Sequence, residues 1–250
     1  MRALILSDIH ANLEALTSAL AAAAPFDVLW HLGDVVGYGA SPNEVLDLVR
    51  PLAQLNVRGN HDRVCCGLTS ALGFNPVARA AATWTNHELT PDNLQWLRDM
   101  PQGPQTPEQP GATCVHGSPL NEDQYILSMR DAWAPLQQMT TTITFFGHTH
   151  LQGGFSQKDE DWHEIRPKYA TRNEEDTWVM PIPPGTRHLI NPGSVGQPRD
   201  SDWRAAFAIY DTEAQEIVFH RVPYDLTASQ GRILIAGLPA RLAARLREGR

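Results

Sequence analysis

Five short polar clusters carry the side chains with the most chemistry: Ser7-Asp8-Ile9-His10, Gly33-Asp34-Val35-Val36-Gly37, Arg58-Gly59-Asn60-His61-Asp62, Val115-His116-Gly117 and Gly147-His148-Thr149-His150. Each follows an apolar run, so each reads as a loop capping a strand. Asp, Asn and His are hard or borderline metal donors. Loops at the strand ends of such a sheet meet along one edge, however far apart they are in sequence. The chemistry in prospect is one metal centre assembled from five loops.

The elements that must position these loops follow from the pattern between them. Ala3 to Leu6 is continuously apolar, as in a strand buried on both faces. Asn12 to Ala23, with Leu13, Leu16 and Leu20 at helical spacing, predicts a helix ended by Pro25. Val28 to Leu32 is a second strand. Pro42 to Leu52 is a second helix with Ser41 as N-cap, and Leu55 to Arg58 is a third strand. This alternation is the signature of βαβ crossovers and a parallel or mixed sheet. Residues 63–100 turn helical, and residues 101–111 form a proline-rich loop; together they make a segment that is either a helical cap over the site or a helical pair covering a sheet face. Strands resume at Ala112 to Val115 and Thr142 to Phe146, with a helix around Ser128 to Gln138 between them. Lys158 to Thr177 is a polar excursion, Asn191-Pro192-Gly193-Ser194 a tight turn, Ala205 to Tyr210 and Glu216 to Val222 an antiparallel pair, and Leu226 to Arg247 one or two helices.

Composition bounds what such a chain can do. Its 250 residues suit one domain, residues 1–250, around one sizeable core. A net charge of −8 argues against a duplex nucleic acid surface, which needs clustered Lys and Arg. The amino terminus enters a strand at once with no secretory signal, and no apolar run is long enough to span a bilayer, so the expectation is a cytoplasmic protein without a membrane partner. Three cysteines, two of them adjacent at 65 and 66, make a poor disulfide framework and no metal knuckle. Homo-oligomerisation is open. His31, His87, His163, His188 and His220 lack a ligand partner at a recognisable spacing and read as structural.

Each motif alone is weak, but the set Asp8-x-His10, Gly33-Asp34, Gly59-Asn60-His61-Asp62, His116 and Gly147-His148-Thr149-His150 closely resembles the calcineurin-like metallophosphoesterases, from Arg2 to about Ser194. The resemblance implies an α/β fold, a four-layer αββα sandwich of two mixed sheets flanked by helices. It implies that Asp8, His10 and His150 hold one metal, that Asn60, His116 and His148 hold the other, and that Asp34 bridges them. It further implies hydrolysis of phosphate mono- or diesters by a hydroxide bridging the ions, with His61 assisting the leaving group. Two divalent ions set against two carboxylates and that hydroxide leave about one positive charge facing the substrate. Mixed His, Asp and Asn ligation without thiolate suits Mn, Fe, Zn, Ni or Co, and relatives favour naming manganese first.

In the phosphoprotein phosphatase branch the loop after the second strand reads Gly-Asp-x-x-Asp-Arg-Gly. Here Gly37 and Tyr38 stand at its second Asp and its Arg. A protein phosphatase is therefore disfavoured, and the chain looks more like the compact bacterial and archaeal phosphodiesterase-like members. Arg58 and Arg199 are candidates for gripping a small phosphorylated substrate. Asn12 is a candidate for touching phosphate, or alternatively a helix N-cap. A non-catalytic metal-binding scaffold, a nucleotide-specific phosphohydrolase and a nuclease acting on DNA ends are the competing functions. The scaffold would be expected to have lost a ligand or His61, and the nuclease would want a basic groove.

Overall fold

A computed structural model of the chain describes residues 1–23, 25–108 and 111–250. Ala24, and Gln109 and Pro110 of the expected proline-rich loop, lie outside the described residues. Strands β1 (Arg2–Leu6), β2 (Val28–His31) and β3 (Ala53–Asn56) alternate with helices α1 (Leu13–Ala23) and α2 (Pro42–Val49). Then come α3 (Asn60–Cys65), α4 (Pro76–Glu88), α5 (Pro91–Asp99), β4 (Ala112–Cys114), α6 (Met129–Gln138) and β5 (Ile143–Phe145). The second half is mostly β: β6 (Gly153–Lys158), β7 (Asp161–Ile165), β8 (Asp176–Pro181), β9 (Arg187–Asn191), β10 (Ala205–Asp211) and β11 (Glu216–Val222), closed by α7 (Leu226–Ile235) and α8 (Ala240–Glu248).

Two mixed sheets result. One runs β3-β2-β1-β10-β11-β8, with β1, β2 and β3 parallel and the rest antiparallel. The other runs β4-β5-β9-β6-β7, parallel through β4, β5 and β9 and antiparallel beyond. The alternation of side chains along a strand explains the layering. In β1, Leu4 and Leu6 face α1 and α2, meeting Leu16, Ala19, Val45 and Leu46, whereas Ala3 and Ile5 face the other sheet. In β5, Ile143 and Phe145 face the first sheet, and the next residue, Phe146, packs with Ala132 and Leu136 of α6. Helices, sheet, sheet and helix form four layers, the expected αββα sandwich.

Some local expectations shift. Helix α2 stops at Val49, short of the expected Leu52, since Pro51 has no amide to continue the ladder. Ser41 holds the N-cap position without a side-chain capping bond. Asn12 is the N-cap of α1, its Oδ1 accepting from the Ala15 amide at 3.2 Å. Residues 158–165 of the polar 158–177 excursion belong to the β6–β7 hairpin, polar because β7 is an edge strand. Helices α4 and α5 send Ala82, Leu89 and Leu97 into the core beneath α1 and α2, and Phe74, just before α4, reaches the ring of His61. All three cysteines are buried thiols. Among the described residues no helix is long and apolar enough to cross a membrane.

Phe145 is fully buried between the sheets, its ring 6.1 Å from that of Trp30 and 5.7 Å from that of Tyr210. Phe145→Ala is expected to cost about 3–5 kcal/mol of folding stability. Urea unfolding measures it.

Candidate metal centre

The parallel strands of both sheets end at the same edge, and the five polar loops leave from those ends. Asp8 and His10 follow β1, Asp34 follows β2, Asn60 and His61 open α3 after β3, His116 follows β4, and His148 and His150 follow β5. Donor atoms of Asp8, His10, Asp34 and His150 all lie within 4.8 Å of one another, and so do those of Asp34, His116 and His148. Asp34 belongs to both groups. Its Oδ2 is 3.7 Å from His10 Nε2 and 3.5 Å from His116 Nε2, which is the position of a bridge. Asn60 joins the second group through its Oδ1, 3.1 Å from His116 Nε2.

Tight backbone geometry makes this convergence possible. Asp8, His10, Asp34, His148 and His150 all adopt positive φ, between 48° and 67°. Asp and His tolerate that region better than most residues, and such strain persists only where the surroundings enforce it. The loops are laced together: Asp8 N–H donates to Gly33 O, His10 N–H to Asp34 O, and Gly147 N–H to His116 O, at 2.7–3.0 Å. Glycine is required where loops touch. A Cβ at Gly33 would fall 2.6 Å from His116 Nδ1, and one at Gly59 would land on the Asp34 carboxylate.

Hydrogen bonds around the ligands settle which atoms face inward. Nδ1 of His10 meets the carbonyl of Val36 at 3.1 Å, that of His116 meets Leu32 O at 2.9 Å, and that of His150 meets Gln197 O at 2.5 Å. A carbonyl only accepts, so each Nδ1 carries the proton. His148 is turned the other way, with Nε2 donating to Asp123 O at 3.3 Å. Asp8 Oδ2 is occupied by Ser7 Oγ at 2.7 Å and the His148 amide at 3.1 Å, whereas buried Asp8 Oδ1 has no hydrogen-bond partner. It lies 3.2 Å from His150 Nε2, which is itself 3.2 Å from His10 Nε2. Two imidazole lone pairs and a carboxylate oxygen thus converge with no proton among them. A divalent cation satisfies this donor set.

Electrostatics agree. Burial, reinforced by neighbouring histidines, holds His10 well below its ordinary pKa and takes His148 down to about 4. Burial would lower His116 as well, but the carboxylates of Asp34 and then Asp8 overcome it and raise this ring to about 10. Asp34 is held well below the usual carboxylate range: burial opposes this, and His116 and His61 outweigh it. His61 is buried, its Nδ1 without a partner, and burial pushes it down to about 4. Its ring packs 4.3 Å from that of Tyr38, 4.5 Å from Phe74 and 5.0 Å from His10.

A family model for the calcineurin-like phosphoesterase superfamily domain matches residues 1–215. The chain belongs to that superfamily. A solved metallophosphoesterase from Sphaerobacter thermophilus is 40% identical, with a TM-score of 0.85 over 100% of this chain and 99% of its own. An uncharacterized protein of Methanocaldococcus jannaschii is 32% identical over 249 residues, 98% of this chain and 97% of its own. A hypothetical protein from Pyrococcus horikoshii, 21% identical, shares the fold with a TM-score of 0.79 across 100% of this chain and 98% of its own.

Of the three candidates for substrate contact, Arg199 has its guanidinium at the Tyr38 ring, beside His10 and His61. Its amide donates to His150 O at 3.2 Å, and its guanidinium carbon lies 5.9 Å from the Tyr38 ring centre. The guanidinium of Arg58 makes no hydrogen bond or ion pair with a ligand residue; the backbone amide of Arg58 ties the end of β3 to Pro101 O. Asn12 is spent structurally, on the α1 cap, on Gly196 O at 2.9 Å and on Ser229 Oγ at 2.7 Å.

Sequence reasoning gave no role to several residues that hold the centre. Asp62 accepts from the amides of Asp34 (2.7 Å), Gly59 (3.0 Å) and Val36 (3.2 Å), so one carboxylate joins two ligand loops. An acidic residue at the third position of a helix was the available signal. Tyr38, with φ of 62°, touches both His10 and His61. The Asn-Pro-Gly-Ser turn after β9 is a brace: Asn191 Nδ2 donates to Gly147 O and Ser194 Oγ to Asp8 O.

In the metal-free protein the raised His116 stabilises the fold fully below its unfolded pKa of 6.5, and this contribution is lost as pH climbs toward 10. A metal ion competes for the same nitrogen. Affinity for a divalent ion is therefore expected to rise between pH 6.5 and 9, with a proton released on binding. Calorimetry in buffers of different ionisation enthalpy measures both, and pH-independent affinity would contradict this account of His116.

Proposed function

We propose that this protein is a metal-dependent phosphoesterase that hydrolyses small phosphate mono- or diesters. The observation that carries the reading is the sharing of Asp34 between two donor groups, which is the arrangement a pair of neighbouring cations needs. Asp8, His10 and His150 would hold one ion, and Asn60, His116 and His148 the other. Manganese is our first choice, with Fe, Zn, Ni and Co as alternatives, because the donors mix imidazole with oxygen and include no thiolate. When bound, such a pair supplies positive charge for the phosphate oxygens and lowers the pKa of water from 15.7 toward ~7.

The protein's own groups do the rest. Backbone carbonyls of Val36, Leu32 and Gln197 accept from Nδ1 of three rings, so that Nε2 is the nitrogen each ring turns inward. His61 is anchored through its amide to Asp34 Oδ1 at 2.8 Å, so its ring position is tied to the bridging carboxylate. In the free protein His61 is neutral at pH 7. An arriving phosphate anion favours the imidazolium beside it, which would then hand its proton to the departing alkoxide. Arg199, beside the Tyr38 ring, would contact a phosphate group of the substrate.

The test separates ion binding from proton transfer. Assays of the manganese-loaded protein on p-nitrophenyl phosphate and its bis ester are expected to show turnover. Asp34→Asn is expected to lose bound metal and activity together, by metal analysis. His61→Gln is expected to keep both ions while kcat drops by about a hundred- to ten-thousand-fold. Equal metal loss in both variants would contradict the separate roles, and no turnover with any of the five metals would overturn the phosphoesterase reading.

A further inference from the structure

Residues 216–250 lie beyond the stretch matched to the family, yet the last two helices among them fold back onto the site. Ser229 of α7 donates to Asn12 Oδ1, and Arg232 pairs with Glu14 on α1. Ile233, Leu242 and Leu246 pack with Tyr38, Ala78 and Ala81, which seats α8 beside α4 and the Tyr38 loop. Ser201 N–H donates to Gly249 O at 3.0 Å, tying the end of α8 to the loop that carries Arg199.

This packing gathers positive charge around one ring. The guanidinium carbons of Arg245 and Arg199 lie 5.6 and 5.9 Å from the ring centre of Tyr38. Arg241 and Arg245 line, with Tyr38, Asn75 and Glu248, an open cavity of about 560 Å³. Among the described residues Arg63, Arg204, Arg221 and Arg232 each pair with an acidic side chain, but Arg199, Arg241 and Arg245 pair with no Asp or Glu side chain, Glu248 included. The buried Nε of Arg199 has no hydrogen-bond partner. Arg245 donates its Nε to the main-chain carboxylate of Arg250, and Arg199 Nη2 donates to Gln197 Oε1 at 3.2 Å. Burial, then repulsion from Arg199, holds Arg245 below its ordinary pKa, although it remains a cation. In a chain of net charge −8, this cluster of guanidinium groups, with Arg241 and Arg245 on the cavity wall and Arg199 at the Tyr38 ring, is poised for an anion.

We propose that Arg241 and Arg245 form a second phosphate subsite, with Arg199 beside it at the Tyr38 ring, and that the substrate is a small molecule carrying two phosphate groups. One group would sit at the cations and the other in the α8 cavity. One aromatic ring, that of Tyr38, reaches from one position to the other: it touches His10 and His61, and the guanidinium carbons of Arg199 and Arg245 lie 5.9 and 5.6 Å from its centre. That span suits phosphates separated by a sugar better than phosphates condensed directly. The inference rests on the phosphoesterase reading for the role of the first group; the subsite itself can be tested without turnover.

Inorganic pyrophosphate is titrated calorimetrically into metal-stripped wild type, Arg245→Ala and Arg241→Glu. Wild type is expected to bind, and both variants about tenfold or more weakly. Arg241 is exposed, so its replacement keeps the test decisive if Arg245→Ala fails to fold; thermal unfolding reports which variants are folded. No binding by wild type, or equal binding by Arg241→Glu, would overturn the subsite. In the manganese-loaded enzyme, the ratio of kcat/KM for adenosine 3′,5′-bisphosphate to that for adenosine 5′-monophosphate is expected to fall about tenfold in the variants. An unchanged ratio would refute the substrate assignment, whereas failure to hydrolyse either nucleotide would count against the phosphoesterase reading while the titration still decides the subsite.

Discussion

Convergence of lone pairs without protons is the constraint on which the molecule depends. Asp8 Oδ1, His10 Nε2 and His150 Nε2 meet in a buried space, and the opposite nitrogen of each ring is committed to a carbonyl. Such an arrangement is unfavourable unless positive charge is placed in it, since burying unpaired polar atoms and charges is costly. In the protein alone, part of that charge is a proton on His116, raised by the same carboxylates. The centre is thus built for a cation before any cation arrives.

Holding this arrangement needs support from several directions. Asp62 joins the Gly33 and Gly59 loops, Ser7 and the His148 amide fix Asp8, and Asn191 and Ser194 brace the loops from the end of β9. The Leu120–Tyr125 stretch contributes too: Arg63 pairs with Glu122 and Asp123, the Asp123 carbonyl holds His148, and Tyr125 stacks on that ring at 4.1 Å. These contacts let five ligand residues stay in the left-handed region. The two sheets make the scaffold stiff, because Phe145, Trp30 and Tyr210 interlock between them.

Much of this was legible in the sequence, for physical reasons. Continuous apolar runs ending in Asp, Asn or His mark buried parallel strands and polar edge loops, and the resemblance of those loops to the calcineurin-like set singled out Asp8, His10, Asp34, Asn60, His116, His148 and His150 as candidates. Helix ends were less legible, as Pro51 shows by ending α2 at Val49. Residues that act through backbone amides, such as Asp62, carry no distinctive sequence sign beyond a helix-capping pattern. Arg245 was hidden for a different reason. It lies on a helix whose pattern reports amphipathicity alone, and nothing in a one-dimensional reading says that this helix returns to Tyr38. Asn12 shows the reverse case, with a suggestive spacing that the fold uses for a cap.

Strand order carries one more consequence, for how the chain matures. All seven ligand residues have been made once the ribosome has passed His150, yet β1 lies between β2 and β10, and β5 lies between β4 and β9. The second sheet therefore cannot close around the centre until residues near 191 have emerged, nor the first until residues near 211. Contacts of such wide sequence separation form late and slowly. A nascent chain would expose a loose row of imidazoles and carboxylates for much of its synthesis, and durable capture of metal belongs to the finished molecule.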